Sequence, residues 1–211
     1  MRVTEIFSSI QGESTHAGLP CTFVRTTGCD QRCDWCDTAY AFEGGAEFTL
    51  DALYEEVARR ATRLVEVTGG EPLIQPDVPE FLSGLADRGY EVLLETGGSQ
   101  SIRNIDPRVR RIVDLKPPGS DMTDLIHWEN LDHLTPTDEV KFVLTDRVDY
   151  EWARQITRTH GLEDKLPVLF SPVMGRLEAA TLADWILEDG LYVRMQLQIH
   201  KLIWAPEIRG V

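Results

Sequence analysis

The alternation of short apolar strands with amphipathic helices from residue 64 onward is the feature that most constrains the fold of this chain. Strands are predicted at 64–68, 91–96, 111–116, 139–144, 167–171 and 192–198, and helices at 78–88, 148–160 and 177–188. Strands that are apolar on both faces and separated by helices are typical of a parallel sheet with helices packed outside it. The repeats are too few for a closed eight-unit barrel of about 250 residues. The pattern therefore predicts a partial barrel or an open parallel sheet.

The first third of the chain carries different elements. Alternating residues at 3–9 and 21–27 predict an N-terminal hairpin, and Thr49 is a suitable N-cap for a helix that ends near Thr62. The chain has 211 residues, of which 42% are hydrophobic, and this is enough for one sizeable core. We therefore expect a single domain over 1–211, with residues 1–27 forming the hairpin and the first core strand.

Composition limits the kinds of partner that the chain can bind. The net charge is −14, from 35 acidic and 21 basic residues, so the chain lacks the broad basic face that holds nucleic acid through its phosphates. A small molecule is therefore the predicted substrate. The sequence has no apolar run of about twenty residues, and Met1 leads directly into a strand pattern. We expect no membrane association and a cytoplasmic location.

Polar motifs follow three of the predicted strands, at the point where each strand ends. They are Thr68-Gly69-Gly70-Glu71-Pro72, Glu95-Thr96-Gly97-Gly98 and Asp114-Leu115-Lys116-Pro117. In parallel α/β folds the carboxyl ends of the strands form the edge where ligands bind. The sequence therefore predicts a ligand site at this edge.

Three cysteines, Cys29, Cys33 and Cys36, lie within eight residues in a polar loop. A structural zinc site normally has four protein ligands, and no Cys or His pair follows at finger spacing. Three thiolates can instead hold three irons of a [4Fe–4S] cluster and leave the fourth iron open. The alternatives are reduced structural cysteines, or a zinc site completed by His16 or Cys21, although Cys21 on an alternating strand is more typical of a small buried residue.

The spacing Cys29-x3-Cys33-x2-Cys36, with Trp35 before the last cysteine, resembles the signature loop of the radical S-adenosylmethionine (SAM) superfamily. The motif at 69–72 lies where that superfamily has its second signature. The resemblance implies an α/β fold, a partial parallel β/α barrel of about six βα units with the N-terminal β-hairpin as an extension and a cluster loop over 28–40. It also implies a [4Fe–4S] cluster whose open iron binds the amino and carboxylate groups of SAM, and whose electron cleaves SAM to a 5′-deoxyadenosyl radical.

Further motifs across almost the whole chain resemble the 7-carboxy-7-deazaguanine synthase family. They are the stretch 5–14, Arg25, Cys36-Asp37-Thr38, Glu95-Thr96-Gly97-Gly98, Asp114-Leu115-Lys116, Glu139-Val140-Lys141, Ser171-Pro172 and Gln198-Ile199-His200-Lys201. The resemblance implies a radical-mediated ring contraction of 6-carboxy-5,6,7,8-tetrahydropterin to 7-carboxy-7-deazaguanine with loss of ammonia, assisted by Mg²⁺. This reaction leads toward the 7-deazapurine nucleosides queuosine and archaeosine.

The family resemblance also implies roles for individual residues. The residues expected to bind substrate are Ile10, Gln11, Gly12, Glu13, Arg25, Thr68 and His200. The residues expected to bind SAM are Trp35, Asp37, Gly70, Glu71, Asp114, Lys116 and Ser171. Thr38 matches the Mg²⁺ position, and one protein oxygen suits an ion that keeps most of its ligands outside the protein. Arg25 is expected to meet the substrate carboxylate, since its planar fork can bind both oxygens.

Two other functions remain open from the sequence. One is an activase that places a glycyl radical on a large partner protein, because such enzymes share both motifs. The other is a non-catalytic metal-bound interaction module, for which zinc or a closed cluster would be the resident metal. The family resemblance further implies a homodimer, and an enzyme of this kind needs a flavodoxin- or ferredoxin-type electron donor.

Overall fold

One nine-stranded sheet organises the chain in the computed structural model, which describes residues 1–204 and 208–210. The strands are β1 (Arg2–Ile10), β2 (Pro20–Thr26), β3 (Ala46–Glu47), β4 (Leu64–Thr68), β5 (Glu91–Thr96), β6 (Arg110–Asp114), β7 (Glu139–Leu144), β8 (Val168–Pro172) and β9 (Arg194–Met195). Their order across the sheet is β3-β1-β2-β4-β5-β6-β7-β8-β9. The C-terminal tail, for which the sequence predicts no role, includes residues 205–207 and 211, which lie outside the described residues.

The sheet is parallel from β2 to β9 and antiparallel only at the N-terminal edge. β1 pairs antiparallel with both β2 and β3, whereas each later pair, from β2 with β4 to β8 with β9, is parallel. The carboxyl ends of seven strands therefore share one edge. The predicted α/β class with an N-terminal hairpin is confirmed.

The two faces of the sheet are covered differently. The outer face packs against the helices in a large apolar core that includes Val65, Val67 and Leu94. The inner face carries a much smaller apolar cluster, which includes Phe23, Leu93 and Ile112, together with charged and polar side chains. Because side chains of a strand alternate between the two faces, successive residues point alternately into the core and into the cavity. The sheet is therefore packed by helices outside and lines a polar cavity inside.

Five helices accompany the sheet, and local capping explains their ends. They are α1 (Leu50–Ala58), α2 (Val78–Asp87), α3 (Arg147–Thr159), α4 (Ala179–Asp189) and α5 (His200–Ile203). The Thr49 hydroxyl accepts a hydrogen bond from the backbone of Ala52 at 3.2 Å, as its predicted N-cap role requires. The chain leaves α2 and α3 through Gly89 and Gly161, both with positive φ, which costs glycine little.

Three predicted elements differ from the structure. Only four of the helices, α1 to α4, lie on connections between strands, because the β5–β6 connection is irregular and the β6–β7 connection contains short 3₁₀ turns instead. The structure therefore has fewer βα units with an α-helix than the six that were expected. The strand predicted at 192–198 is reduced to β9, since an edge strand has hydrogen-bonding partners on one side only. The helix predicted to end near Thr62 ends at Ala58.

The turn between β1 and β2 fills the amino end of the curled sheet. The backbone amide of Thr15 donates to both carboxylate oxygens of Glu139 at 3.1 Å, and the His16 ring lies 3.2 Å from Glu91. Both glutamates stand at the amino ends of their strands, β7 and β5. We call residues 11–19 the floor turn, because they close this end of the cavity.

Within residues 1–204 and 208–210, the helices are all too short or too polar to cross a membrane.

Candidate active site

A cavity of about 740 Å³ opens at the carboxyl ends of the parallel strands. Its wall comes from the inner face of the sheet, its base from the floor turn, and its rim from the cysteine loop and the segment 208–210. This volume suits one or two ligands of moderate size. Most of the residues predicted as site residues line it: Ile10, Gln11, Gly12, Glu13, Arg25, Cys29, Cys33, Trp35, Cys36, Asp37, Thr38, Thr68, Gly70, Asp114, Lys116 and His200.

The three loop cysteines all face the cavity as free, partly exposed thiols. Burial raises the pKa of the Cys29 thiol to about 11, and burial likewise raises the pKa of Cys33. A thiol with a raised pKa stays protonated at neutral pH and is ionised when it binds a metal. Three soft ligands on one short loop fit an iron–sulfur cluster with one open iron.

The two signature motifs touch each other through backbone. The amide of Glu71 donates to the carbonyl of Gly28 at 2.9 Å, just before the first cysteine. A Cβ atom at Gly70 would overlap that carbonyl and would lie 2.7 Å from the Cβ of Cys29. Glycine at position 70 is therefore required for the cysteine loop to lie against the end of β4.

The carboxylate of Glu71, a residue predicted to bind SAM, is paired with donors inside the protein. It accepts hydrogen bonds from the Thr96 hydroxyl at 2.8 Å, the Gly97 amide at 2.7 Å and the Leu73 amide at 3.0 Å. The side chain is fully buried, and burial raises its pKa to about 7 in spite of these donors. Glu71 is not among the described residues that line the cavity, and its side chain points toward the end of β5. Glu71 braces the ends of two strands.

Asp114 and Ser171 offer polar atoms without protein partners. Asp114 accepts from the Lys116 ammonium at 2.8 Å through one oxygen, and its other oxygen is buried without a hydrogen bond from any described residue. The Ser171 hydroxyl on β8 is buried and unpaired in the same sense, although Ser171 is not among the described residues that line the cavity. Unsatisfied buried polar atoms are costly unless a ligand pairs with them. The unpaired oxygen of Asp114, which lines the cavity, therefore fits a polar ligand there.

A buried charge cluster occupies the middle of the cavity. The ammonium of Lys141 contacts the carboxylate of Glu95, lies 2.8 Å from Glu13 and lies 3.7 Å from Asp114. Burial alone disfavours the charged lysine, but the three carboxylates raise its pKa well above the usual value. Glu95 also accepts from the Thr68 hydroxyl at 3.3 Å. The lysine is therefore a fixed positive charge that holds these carboxylates in place.

Gln11 and Glu13, predicted to meet substrate, are oriented by protein contacts. The side-chain amide of Gln11 donates to the Glu66 carboxyl, and its carbonyl accepts from the Glu13 amide at 3.0 Å. Glu13 also accepts from the side-chain amide of Gln198 at 2.6 Å. These side chains are held in one arrangement at the base of the cavity, which is what selective binding of a flat heterocycle requires.

His200 is packed against Gly12 at the edge of the cavity. A Cβ atom at Gly12 would overlap the imidazole, and the Gly12 carbonyl accepts from the Ile199 amide at 3.0 Å. Burial lowers the pKa of His200, so a neutral ring is favoured at neutral pH. A neutral imidazole can both donate and accept a hydrogen bond.

Arg25 is held by two residues that the sequence did not identify as functional. Its Nε donates to Glu5 at 2.8 Å, and the Tyr40 hydroxyl donates to the same glutamate oxygen at 2.7 Å. Glu5 pairs with Arg25 across β1 and β2, next to a register shift between Val3 and Glu5. Such irregularities re-aim side chains beside active sites. The guanidinium is thereby fixed through Nε, and its two terminal nitrogens have no hydrogen-bond partner among residues 1–204 and 208–210.

Thr38 lies at the rim beside Asp37 and Lys201. The Thr38 hydroxyl donates to Asp37 at 2.9 Å, and Lys201 lies 2.5 Å from the other oxygen of Asp37. Desolvation opposes ionisation of Asp37, but the Lys201 ammonium outweighs it and lowers the pKa to about 2. Asp37 is therefore ionised at neutral pH, and it provides an oxygen next to that of Thr38.

A zinc site completed by His16 or Cys21 does not fit this arrangement. His16 lies in the floor turn and contacts Glu91 and Arg110, the latter at 3.1 Å. Cys21 is fully buried in the inner apolar cluster at the start of β2. Both are therefore at the opposite end of the cavity from the cysteine loop.

Comparison with known proteins identifies the family. Residues 23–156 match the model of the radical SAM superfamily. The 7-carboxy-7-deazaguanine synthase of Koribacter versatilis is 47% identical over 226 residues, covering 100% of both chains. The 7-carboxy-7-deazaguanine synthase of Chlorobaculum tepidum is 45% identical, covering 100% of this chain and 97% of that protein. The crystal structure of QueE from Escherichia coli has the same fold, with a TM-score of 0.76 at 21% identity over 93% of each chain. The chain therefore belongs to the 7-carboxy-7-deazaguanine synthase family of the radical SAM superfamily.

Proposed function

We infer that this chain carries out the reaction of its family, the radical-mediated ring contraction of 6-carboxy-5,6,7,8-tetrahydropterin to 7-carboxy-7-deazaguanine with release of ammonia. The observation that carries the inference is one cavity that joins three free cysteines at its rim to a polar, rigid base. The chain is thus a radical SAM lyase in 7-deazapurine biosynthesis. Its cofactors are a [4Fe–4S] cluster and SAM.

The cluster is assigned to Cys29, Cys33 and Cys36. These cysteines would hold three irons of the cluster, which with SAM bound would supply the electron for radical chemistry on the substrate. Lys116 and the unpaired oxygen of Asp114 are suited to polar groups of SAM, and the Gly70 carbonyl is an acceptor for its ammonium. The remaining residues assigned to SAM are Trp35, Asp37 and Ser171.

The substrate is assigned to the base of the cavity. Arg25 is assigned to the substrate carboxylate, which its two terminal nitrogens, unpaired within the described part of the chain, can bind. Ile10, Gly12, Glu13, Thr68 and His200 surround the bicyclic ring, and Gln11 contributes through the orientation that Glu66 and Glu13 impose on it. The floor turn excludes water from the buried end, which protects a reactive carbon radical from side reactions.

Mg²⁺ is assigned to the Thr38 hydroxyl. The adjacent Asp37 carboxylate, ionised by its pairing with Lys201, adds negative charge beside that hydroxyl. Oxygen ligands and few protein contacts suit this ion. The substrate carboxylate and water would supply its other ligands, and the bound ion would contribute positive charge for orienting the substrate.

Three further features of the working enzyme are proposed. The electron donor is of the flavodoxin or ferredoxin type, the active form is a homodimer, and the enzyme is cytoplasmic. Each rests on the family and on the chemistry of the cofactor.

Anaerobic turnover tests the proposed function. The cluster-reconstituted protein is incubated with reductant, SAM and the tetrahydropterin, with and without Mg²⁺, and the product is followed by its ultraviolet spectrum and by mass. We expect a 7-deazapurine carboxylate and ammonia in equal amounts, and less of both without Mg²⁺. Cleavage of SAM without any 7-deazapurine would contradict the function. An electron paramagnetic resonance signal unaffected by SAM would favour a non-catalytic module.

A further inference from the structure

Glu66 is a buried carboxyl group on the inner face of the sheet, and the role assigned to it so far, orienting Gln11, uses one of its two oxygens. It lies on β4 two residues before Thr68, so both side chains point into the cavity. Its exposed fraction is only 3%. A carboxyl group at such a depth costs free energy unless the protein or a ligand compensates for it.

On the two adjacent strands of the sheet, the neighbours of Glu66 are apolar. The cross-strand partners of Glu66 are Phe23 on β2 and Leu93 on β5, and both belong to the inner apolar cluster. Phe7 stacks on Phe23 with ring centroids 5.0 Å apart. Glu66 is therefore the polar member of an apolar layer of the cavity wall, which is a suitable surface for one edge of a flat heterocycle.

The two oxygens of the Glu66 carboxyl have different environments. Oε2 accepts a hydrogen bond from the Gln11 side-chain amide. Oε1 has no hydrogen-bond partner among residues 1–204 and 208–210, and the residue lines the cavity. One oxygen is thus committed to bracing the floor turn, and the other remains for a ligand.

We propose that Glu66 is a substrate-recognition residue, whose Oε1 forms a hydrogen bond to an acceptor atom on the edge of the substrate's bicyclic ring. This inference rests on the proposed function. It adds a contact deeper in the cavity than Thr68, on the side where Gln11 and Glu13 approach the ring.

The protonation of Glu66 determines the direction of this hydrogen bond. Burial raises its pKa well above the usual value, and the carboxylates of Glu95 and Glu13 raise it further. The ammonium of Lys141 and the Gln11 hydrogen bond oppose this effect but do not outweigh it. Because Gln11 donates to Oε2, that oxygen serves as the acceptor, and the proton is left on Oε1. A neutral carboxyl group then donates to a carbonyl oxygen or an imine-type nitrogen of the ring.

Two substitutions separate recognition from a structural role. Glu66→Gln keeps the length of the side chain, a donor and an acceptor, so we expect the KM for the tetrahydropterin to stay within about threefold of the wild type. Glu66→Met keeps the length but removes the hydrogen bond, and we expect that KM to rise about 10- to 100-fold. The affinity for SAM, measured through the electron paramagnetic resonance signal of the cluster, should stay unchanged in both variants. Glu188→Gln, at an exposed position on α4, is the matched control.

Infrared difference spectroscopy gives a readout that bracing alone would not change. Substrate is added to the reconstituted enzyme without reductant, and the carbonyl band of a neutral carboxyl group is followed. We expect a band that shifts on substrate addition in the wild type and is absent from Glu66→Gln. An unchanged KM in Glu66→Met, a glutamine variant as impaired as the methionine variant, or a band that substrate does not shift would each overturn the proposal. If the wild type binds the tetrahydropterin but forms no 7-deazapurine, the proposed function fails separately.

Discussion

Arg25 depends on one carboxylate oxygen of Glu5 for its orientation, and replacing that carboxylate tests how the cavity recognises an anionic substrate. The perturbation is Glu5→Gln, which keeps the shape of the side chain and removes its charge. Tyr40→Phe removes the second donor to the same oxygen. Neither change touches the terminal nitrogens of Arg25, which face the ligand.

The size of the effect follows from the contacts. The Arg25–Glu5 pair is 17% and 21% exposed, so its charge-assisted hydrogen bond is only partly screened by solvent. A bond of this kind contributes about 1.5–3 kcal/mol. If most of it serves to hold the guanidinium in place, Glu5→Gln raises the KM for substrate about 10- to 100-fold. Burial raises the pKa of Tyr40 to about 12, so its hydroxyl stays protonated and donates. Loss of this donor costs about 1 kcal/mol, or roughly a fivefold increase in KM.

The assay is initial-rate kinetics at saturating SAM with the tetrahydropterin varied. Since both residues act through one oxygen, the double variant should lose less than the product of the two single effects. The KM for SAM should not change. Glu47→Gln on β3, exposed at the sheet edge, is the matched control. An unchanged KM for substrate with a lower kcat, or strictly multiplicative effects, would refute the idea that Glu5 and Tyr40 jointly position Arg25.

Two other sites give further expectations. Gly12→Ala forces the His200 imidazole out of its place, so we expect at least a tenfold rise in the KM for substrate. The double variant Gly12→Ala, His200→Ala should have the same thermal stability as His200→Ala alone, because the overlap is then removed. Glu71→Gln replaces one acceptor of backbone amides by a donor at a fully buried site. We therefore expect the free energy of unfolding of the cluster-free protein, measured with urea, to fall by about 2–4 kcal/mol. The control Glu188→Gln should change it by close to zero. Because burial raises the folded-state pKa of Glu71 to about 7, its contribution is fully present below about pH 4.5 and is lost as the pH rises through 7. The stability difference between the wild type and Glu71→Gln should therefore narrow by about 3 kcal/mol from pH 4.5 to pH 8, and a constant difference would contradict this linkage.

The sequence predicted those elements whose signal lies in a few consecutive residues. β4, β5 and β7 begin and end where the apolar runs place them, because strands buried on both faces have little choice of environment. The length of β9 was overestimated, since the polar residues around it pair with β8 at only two positions. The connections around β6 contain no α-helix, and the sequence indicated none there.

The candidate site was predictable where its motifs are local. The cysteines, the glycines at the end of β4 and most cavity-lining residues follow from contiguous patterns. Glu66 was missed, although its alternation with Val65 and Val67 in an apolar strand was a usable signal. Tyr40 was missed because its role depends on Glu5, which is 35 residues away in sequence. The donors that pair with the Glu71 carboxylate, Thr96 and Gly97, are 25 and 26 residues away in sequence, so its motif alone does not predict them.

Because of the floor turn, the cavity is closed at its amino end and open at the other. Its amino end is closed by chain that is continuous with two strands of the wall and is tied to Glu139 and Glu91. Ligands therefore enter and leave at the opposite end, where the cysteine loop and the segment 208–210 form the rim. A molecule bound at the base of the cavity lies farther from solvent than one bound at the rim, so one short turn determines which ligand is better protected from water.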